Sequence, residues 1–346
     1  MRMVRNQICM ASMLLFFLSA IVVGVSPTDA AEKCKKTKYV TFAGGTATGG
    51  GYVVISKWAE LMSKEIPCVS ASATTGSYYA NTLSVHQKKF TIGQADPNTL
   101  YNTTRGIRKK FKGKETKNLR FINSTNPAYF QIFVPKNSPI KSVREAITKY
   151  PLRNLMVISK LSGHFQWIGK IFKAYGSSYD DLKKRGGSLA YVNYANAIGL
   201  MKDGQCDMLM IHTTVPSSVI MDIDNTIGIR FLEVEPAVRR KIVKMIPGMA
   251  ELTIPGGSYR NLPDDFHTFG LYMQHFTHKD VSEDLVYQAT KVFWDHEKDF
   301  HALAAWGSQI QLKTALIAAT IPVHPGAARY YKEVGIKLPE IIDWPW

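Results

Sequence analysis

The stretch YVTFAGGTATGGGY, from Tyr39 to Tyr52, decides the fold of the chain. Its first residues alternate β-branched or aromatic side chains with smaller ones, which predicts a short buried strand. The glycine-rich run 44–51 follows, and apolar positions then recur at helical spacing over 53–64. A strand, a glycine turn and a helix start together expose backbone N–H groups and the positive end of a helix dipole. This corner suits a carboxylate or phosphate, although glycine also serves a tight turn that binds nothing.

The glycine run does not match a nucleotide-binding motif. A P-loop ends in Gly-Lys-Ser/Thr, whereas Gly49-Gly50-Gly51 leads directly into Tyr52. The dinucleotide fingerprint needs glycines at i, i+2 and i+5, and no starting position in the run provides them. We therefore expect an anion-binding corner that does not hold a nucleotide.

The N-terminus has the pattern of an export signal. Arg2 and Arg5 precede a mostly apolar stretch over 8–25, and small residues at 28–30 offer a cleavage site. This predicts a signal peptide over 1–30, cleaved near Ala30, and a periplasmic mature protein. A retained membrane anchor is the alternative, because a stretch of this length can just span a bilayer.

Composition favours a large globular protein with a positive surface. The 346 residues are 45% apolar and carry a formal net charge of +16. This length suggests two lobes with sizeable cores. The basic residues are mostly scattered and the dense cluster 105–117 suits a solvated surface, so we expect no nucleic-acid partner. A positive field would still draw small anions towards a cleft.

Three cysteines remain after removal of the signal peptide, Cys34, Cys68 and Cys206. An oxidising compartment allows one bridge, and Cys34 with Cys68 is the expected pair because both lie in the first segment. Three dispersed cysteines do not form a zinc site. We expect no metal and no cofactor.

Further polar turns follow predicted strands along the chain, as in the opening stretch. In an open α/β sheet, ligands bind at the carboxyl ends of the strands, where these turns lie. We therefore expect the turns to face one cleft. They are 74–78, 94–96, 160–164 and 212–214.

The order of predicted elements indicates an α/β protein of two lobes, each a mixed sheet flanked by helices, with the ligand cleft between them. Residues 119–134 and 269–276 are predicted to cross between lobes. Lobe 1 is then 31–134 plus 269–346, and lobe 2 is 135–268. Long helices are predicted over 283–300 and 309–319.

Several motifs, in order from Lys38 to Gly335, resemble those of the TAXI family, the extracytoplasmic solute receptors of TRAP-type (tripartite ATP-independent periplasmic) transporters. They are the glycine-rich opening, Thr74-Thr75-Gly76-Ser77 before a helix with Asn81, Gln94-Ala95-Asp96, Ser162-Gly163, 203–207, 283–287, and His324-Pro325-Gly326-Ala327 followed by Tyr330-Tyr331.

The resemblance implies a type II periplasmic-binding-protein fold that delivers a small organic acid or amino acid to a TRAP-type membrane permease. It implies ligand contacts from the turns of both lobes, to which the residues themselves add Tyr78 and Thr213. The expected ligand-binding residues are Gly44, Gly45, Thr46, Thr48, Tyr52, Thr75, Gly76, Ser77, Tyr78, Asn81, Gln94, Asp96, Ser162, Gly163, His164 and Thr213.

Two turns depart from the TAXI pattern. The family reads Gly-Gly-Ser where this chain has Gly76-Ser77, followed by Tyr78 and Tyr79. These tyrosines either line a pocket for an aromatic or larger solute or pack outwards. In the second-lobe turn, His164 replaces a threonine, and it either donates to a carboxylate or caps its own helix.

Enzyme motifs are absent from the sequence. His296 and His301 are five residues apart, so on a helix they point about 140° away from each other, unlike zinc-binding histidines four apart. There is no Gly-x-Ser-x-Gly nucleophile elbow. We therefore expect a binding protein, with an enzyme or an adhesive surface protein on the same two-lobe fold as the alternatives.

Overall fold

A computed structural model describes residues 34, 36–45, 50–107, 112–113, 115–160 and 162–341. The predicted signal peptide and the expected ligand residues Thr46 and Thr48 lie outside these ranges. Cys34 and Cys68 each take part in a disulfide bond. Cys206 is a buried free thiol.

The strands have the following bounds. They are β1 (Lys38–Ala43), β2 (Val69–Thr74), β3 (Ile92–Ala95), β4 (Leu119–Pro135), β5 (Leu155–Val157), β6 (Leu189–Tyr191), β7 (Leu209–Thr213), β8 (Ile229–Phe231), β9 (Ala250–Ile254) and β10 (Phe266–His278).

The helices alternate with the strands over most of the chain. They are α1 (Gly50–Glu65), α2 (Tyr78–His86), α3 (Pro97–Thr104), α4 (Val143–Thr148), α5 (Gly163–Ala174), α6 (Tyr179–Lys184), α7 (Tyr194–Lys202), α8 (Ser218–Thr226), α9 (Pro236–Met245), α10 (Glu283–Asp295), α11 (Glu297–His301) and α12 (Pro325–Glu333). No described helix is long and apolar enough to cross a bilayer.

Eight of the described strands form one mixed sheet in the order β2-β1-β3-β10-β4-β7, with β8 pairing with β4 and β9 with β10. β1 is parallel to β2 and β3. β10 is antiparallel to β3, β4 and β9. β5 and β6 form a separate parallel pair.

The long strands β4 and β10 join the two halves of the sheet. β10 pairs with β9 through Phe266–Gly270 and with β3 through Gln274–Thr277. β4 pairs with β7 and β8 through residues 129–135. Each segment predicted to cross between lobes is thus a single strand, of 17 residues in β4 and 13 in β10.

Apolar cores lie on both sides of these crossing strands. On one side α1 packs its Trp58 indole against Phe42 and Phe293, with ring centroids 5.1 and 4.9 Å apart. The buried positions of α1 recur at helical spacing, which explains why this face meets the sheet. On the other side α5 buries Ile168 and Phe172 in a cluster that includes residues of β4 and β10.

The predicted helix over 309–319 is wrong. The chain instead makes two short 3-10 turns, Ala305–Gln309 and Leu312–Thr314. Carbonyl groups of this segment accept hydrogen bonds from the crossing strands, from Ser124 N–H to Ala315 at 2.6 Å and from Gln274 Nε2 to Ala318 at 2.8 Å. Those carbonyls therefore serve tertiary contacts, which local periodicity cannot reveal.

Candidate functional site

A cleft of about 680 Å³ lies where polar turns that are far apart along the chain meet. Its glycine wall comprises Gly45, Gly50, Gly51, Gly76, Ser77, Tyr78, Tyr79, Asp96 and Thr99. Its floor comprises Asn126, Ala128 and Met273 of the crossing strands. Its histidine wall comprises Ile158, Ser159, Ser162, Gly163, His164, Trp167, Tyr194, His212, Thr213 and Thr214.

The glycine wall presents the starts of helices to the cleft. α1 begins at Gly50 and α2 at Tyr78, and both residues line the cleft. The first N–H groups of a helix have no partner within it. The Ser77 side chain, at the N-cap of α2, makes no capping hydrogen bond. This wall therefore offers backbone donors and a positive helix end to an anionic group.

Asn81 and Gln94 lie beneath the glycine wall and do not line the cleft. Asn81 is 2% exposed, and its Nδ2 donates to the carbonyls of Ala43, Gly44 and Gln94 at 2.8–3.1 Å. Gln94 is fully buried, and its Nε2 donates to the Gly51 carbonyl at 3.3 Å. A Cβ on Gly51 would overlap the Gln94 amide. Both side chains thus hold the turns in place.

Asp96 lines the cleft but is engaged by its own helix. Its Oδ1 accepts from the Thr99 backbone N–H at 2.8 Å, and its Oδ2 accepts from the Thr99 hydroxyl at 2.6 Å. These bonds cap the start of α3. The carboxylate therefore has a structural role in the turn.

His164 is buried in the histidine wall, with only 3% of its side chain exposed. Its Nε2 lies 2.8 Å from the Met210 carbonyl oxygen. A carbonyl can only accept, so Nε2 carries the proton and Nδ1 is left as an acceptor. Nδ1 has no partner among the described residues. Burial lowers the pKa of His164 to about 4, which keeps the ring neutral at pH 7.

His212 stands at the end of β7 and is half-buried. Its Nε2 is shielded from solvent and has no partner among the described residues. Burial, with a smaller contribution from His164, lowers the pKa of His212 to about 3, while a hydrogen bond to the Ala128 backbone opposes the shift. The ring packs edge-on against Trp167 at 5.1 Å.

Aromatic residues from both walls give the cleft an apolar body. Tyr78 and Tyr79 both line it, and the Tyr78 hydroxyl donates to Met273 Sδ at 3.1 Å. Tyr194 contacts both histidines, because its ring lies 5.9 Å from that of His164 and its hydroxyl donates to the His212 carbonyl at 2.9 Å. No lysine or arginine is among the described residues that line the cleft.

The expected ligand residues divide into three groups. Gly44, Tyr52, Thr75, Asn81 and Gln94 do not line the cleft, and Thr46 and Thr48 lie outside the described residues. The expected residues that do line it are Gly45, Gly76, Ser77, Tyr78, Asp96, Ser162, Gly163, His164 and Thr213.

Several lining residues are not among the expected ligand-binding residues. Trp167 and Tyr194 follow helical spacing, which is also typical of core residues. His212 directly precedes Thr213 at the end of a strand, and this position in the sequence is the feature that could have indicated its place in the site. Met273 belongs to a crossing strand, and its place on the floor depends on the register of β10 against β4.

Comparison with known proteins identifies the family of the chain. Residues 42–335 match the NMT1-like family. The chain belongs to the NMT1-like family. The match covers both walls and the floor of the cleft.

Two solved structures are similar to this NMT1-like protein. A TctC solute binding protein from Polaromonas is 12% identical, with 80% of this chain and 91% of that chain covered and a TM-score of 0.53. The periplasmic aliphatic sulphonate binding protein SsuA from Escherichia coli is 13% identical, with 86% and 79% covered and a TM-score of 0.46. The likeness to the TctC protein shows the fold, and the expected two-lobe periplasmic-binding-protein architecture is confirmed.

Proposed function

We propose that this NMT1-like protein is an extracytoplasmic solute receptor that encloses a small organic acid or amino acid between two lobes. The lobes are 31–134 with 269–346, and 135–268. The observation that carries the proposal is the cleft itself. Turns far apart along the chain line one space of about 680 Å³, a size within the range of small-molecule sites.

The chemistry of the walls supports binding rather than turnover. Ser162 Oγ accepts from the Phe165 N–H at 3.1 Å and donates to the Ser159 carbonyl at 2.7 Å, so it is used as a helix cap. Oγ also accepts from the Ser159 N–H at 3.4 Å. None of these three described bonds pairs the hydroxyl with the histidine base that nucleophilic catalysis requires. Hydrogen bonds to a charged group each contribute roughly 1.5–3 kcal/mol, so several backbone donors suffice to hold one carboxylate.

The finer assignment is to the TAXI group, with delivery of the solute to a TRAP-type permease. It is supported by the ordered motifs from Lys38 to Gly335. The ligand would favour the closed form through contacts made to both walls at once. Tyr78, Tyr79 and Trp167 suit a solute with an aromatic or otherwise large apolar part.

A thermal-shift screen of the chain from residue 31 tests the function. The screen covers amino acids, dicarboxylates and aromatic acids, and we expect one class to raise the melting temperature. A ligand at 100 times its Kd adds about 2.7 kcal/mol to the unfolding free energy. The bound compound should be recovered unchanged. A converted compound would indicate an enzyme, and a screen without any shift would favour the surface-protein alternative.

A further inference from the structure

The histidine wall contains two ring nitrogens that no described residue pairs with. His164 Nδ1 and His212 Nε2 are both shielded from solvent and have no partner among the described residues. Buried polar atoms are nearly always paired in native proteins, so an unpaired acceptor in a cleft indicates a missing partner. Tyr194 contacts the ring of His164 and the backbone carbonyl of His212, and the His212 ring packs against Trp167 of the same helix as His164, so the two histidines lie in one part of the wall.

The protonation of His164 follows from its other nitrogen. His164 donates from Nε2 to the Met210 carbonyl at 2.8 Å, so its one proton is committed and the Nδ1 lone pair has no partner among the described residues. At His212 the Ala128 backbone favours the protonated ring, which indicates a nearby carbonyl, and Nε2 is the nitrogen left without a described partner. Burial opposes a second proton on either ring.

The other described lining residues differ from the two histidines in the hydrogen-bonding groups that they offer to a ligand. The glycine wall offers donors, and no lysine or arginine lies among the described lining residues. The Asp96 oxygens already accept from Thr99. A second carboxylate on the ligand would meet two lone pairs and no cation at the histidine wall, whereas an N–H or O–H group would complete both hydrogen bonds.

We propose that His164 and His212 determine specificity by accepting hydrogen bonds from an amino or hydroxyl group of the ligand. The receptor then selects an acid that carries such a donor over the same acid without it. This inference rests on the proposed receptor function. It concerns side chains that the resemblance does not supply, because His164 replaces a threonine and His212 is not among the motif residues.

The test uses two matched series of probes and isothermal titration calorimetry at pH 7.5. One series is phenylalanine, 3-phenyllactate and 3-phenylpropionate, and the other is glutamate, 2-hydroxyglutarate and glutarate. In the series that binds, we expect the acid without a donor to bind at least about tenfold more weakly, because a site built for a donor rejects analogues that lack it.

Variants connect this selectivity to the histidines. His212→Phe keeps a ring against Trp167 but removes the acceptor, and we expect the affinity ratio to fall towards one. His164→Gln provides a second variant in case the first does not fold. His86→Phe is the matched control, because His86 Nδ1 is also unpartnered among the described residues but does not line the cleft. The His86→Phe variant should keep the affinity ratio between acids with and without the donor that the parent protein shows.

The outcomes separate this inference from the receptor function. Equal affinity for acids with and without the donor would overturn the inference and leave the receptor function standing. Tighter binding of glutarate with uptake of a proton, seen as a buffer-dependent enthalpy, would also overturn it, because the histidines would then act as donors. If no probe binds and no compound of the wider screen shifts the melting temperature, both proposals fail.

Discussion

The two walls of the cleft provide opposite hydrogen-bonding groups by different means. The glycine wall presents helix starts whose donors belong to the backbone, and buried Asn81 and Gln94 support it from below. The histidine wall presents side-chain acceptors, and burial keeps them unprotonated. The polarity of one wall therefore depends on backbone geometry and that of the other on desolvation. Substitutions and pH should affect them differently.

Acid should produce the largest effect, and it should act on the histidines. The folded-state pKa values of His164 and His212, about 4 and about 3, lie below the ordinary value of 6.5. Between these values the unfolded chain binds more protons, so the unfolding free energy falls as the pH falls from 6.5 towards 4. Each histidine contributes about 1.4 kcal/mol per pH unit in this window.

Urea unfolding at pH 7, 6 and 5 measures this dependence. In His212→Asn the unfolding free energy should fall less steeply with decreasing pH, because the contribution of one histidine is removed. His296→Asn is the contrasting variant, because hydrogen bonding to Glu65 raises the pKa of His296. The raised pKa gives stability that is gained as the pH falls through the folded pKa, above 6.5, and that is fully present below 6.5. His296→Asn should therefore lower the unfolding free energy at pH 6 and pH 5 by a similar amount and leave the slope between them unchanged. An unchanged slope in His212→Asn would show that this ring is not held neutral.

A methyl group on the glycine wall should have the next largest effect. In Gly51→Ala the new Cβ overlaps the buried Gln94 amide, and overpacking of this kind costs roughly 1–3 kcal/mol. We expect both a lower urea midpoint and weaker ligand binding. Gly199→Ala in α7 is the matched helical control. A Cβ there meets nothing within 4 Å, so this variant should gain about 0.5–1 kcal/mol.

Removal of two helix caps, one in the histidine wall and one away from the cleft, should separate an effect on stability from an effect on ligand binding. Ser162 caps α5 and Ser178 caps α6, each accepting a backbone N–H at 3.1 Å, but Ser178 does not line the cleft. Ser162→Ala and Ser178→Ala should each cost about 1 kcal/mol of unfolding free energy. Only Ser162→Ala should weaken binding. Equal affinity in both variants would remove Ser162 from the site.

Ser77→Ala should have the smallest effect on stability. Its side chain is exposed in the cleft and makes no capping bond, so the variant should unfold within about 0.5 kcal/mol of the parent protein. Ligand affinity should still fall, because a hydroxyl donor is lost. Titration calorimetry with the best compound of the screen measures this change. Unchanged affinity would leave the backbone groups alone responsible for this part of the wall.

Local periodicity was sufficient to predict much of the fold. The strand, glycine turn and helix around Gly50 were recognisable because period-two and helical patterns meet there within a few residues. The first crossing segment was visible as two short apolar runs within 119–134 that end in Val134-Pro135. The segment 309–319 was misread because its carbonyls bond to Ser124 and Gln274, which are distant in sequence.

The site was only partly predictable for the same reason. Ser162, Gly163 and His164 lie at the start of α5, a few residues after β5, and they do line the cleft. Asn81 lies within α2 and Gln94 within β3, next to the polar turns, but their side chains turn under the glycine wall. Which face of a turn meets the ligand depends on packing against other elements. Trp167 and Tyr194 show the converse, because their helical spacing is shared with ordinary core residues.

The floor of the cleft has a mechanical consequence. The register of β10 against β4 shifts between Tyr272 and Gln274, at Met273. A bulge bends and twists its strand more strongly than a regular ladder. A solute in contact with Met273 would therefore touch the pair of crossing strands, β4 and β10, at the position where their pairing is irregular and bending is easiest. We expect occupancy to set the lobe angle directly, without a relay of intermediate residues.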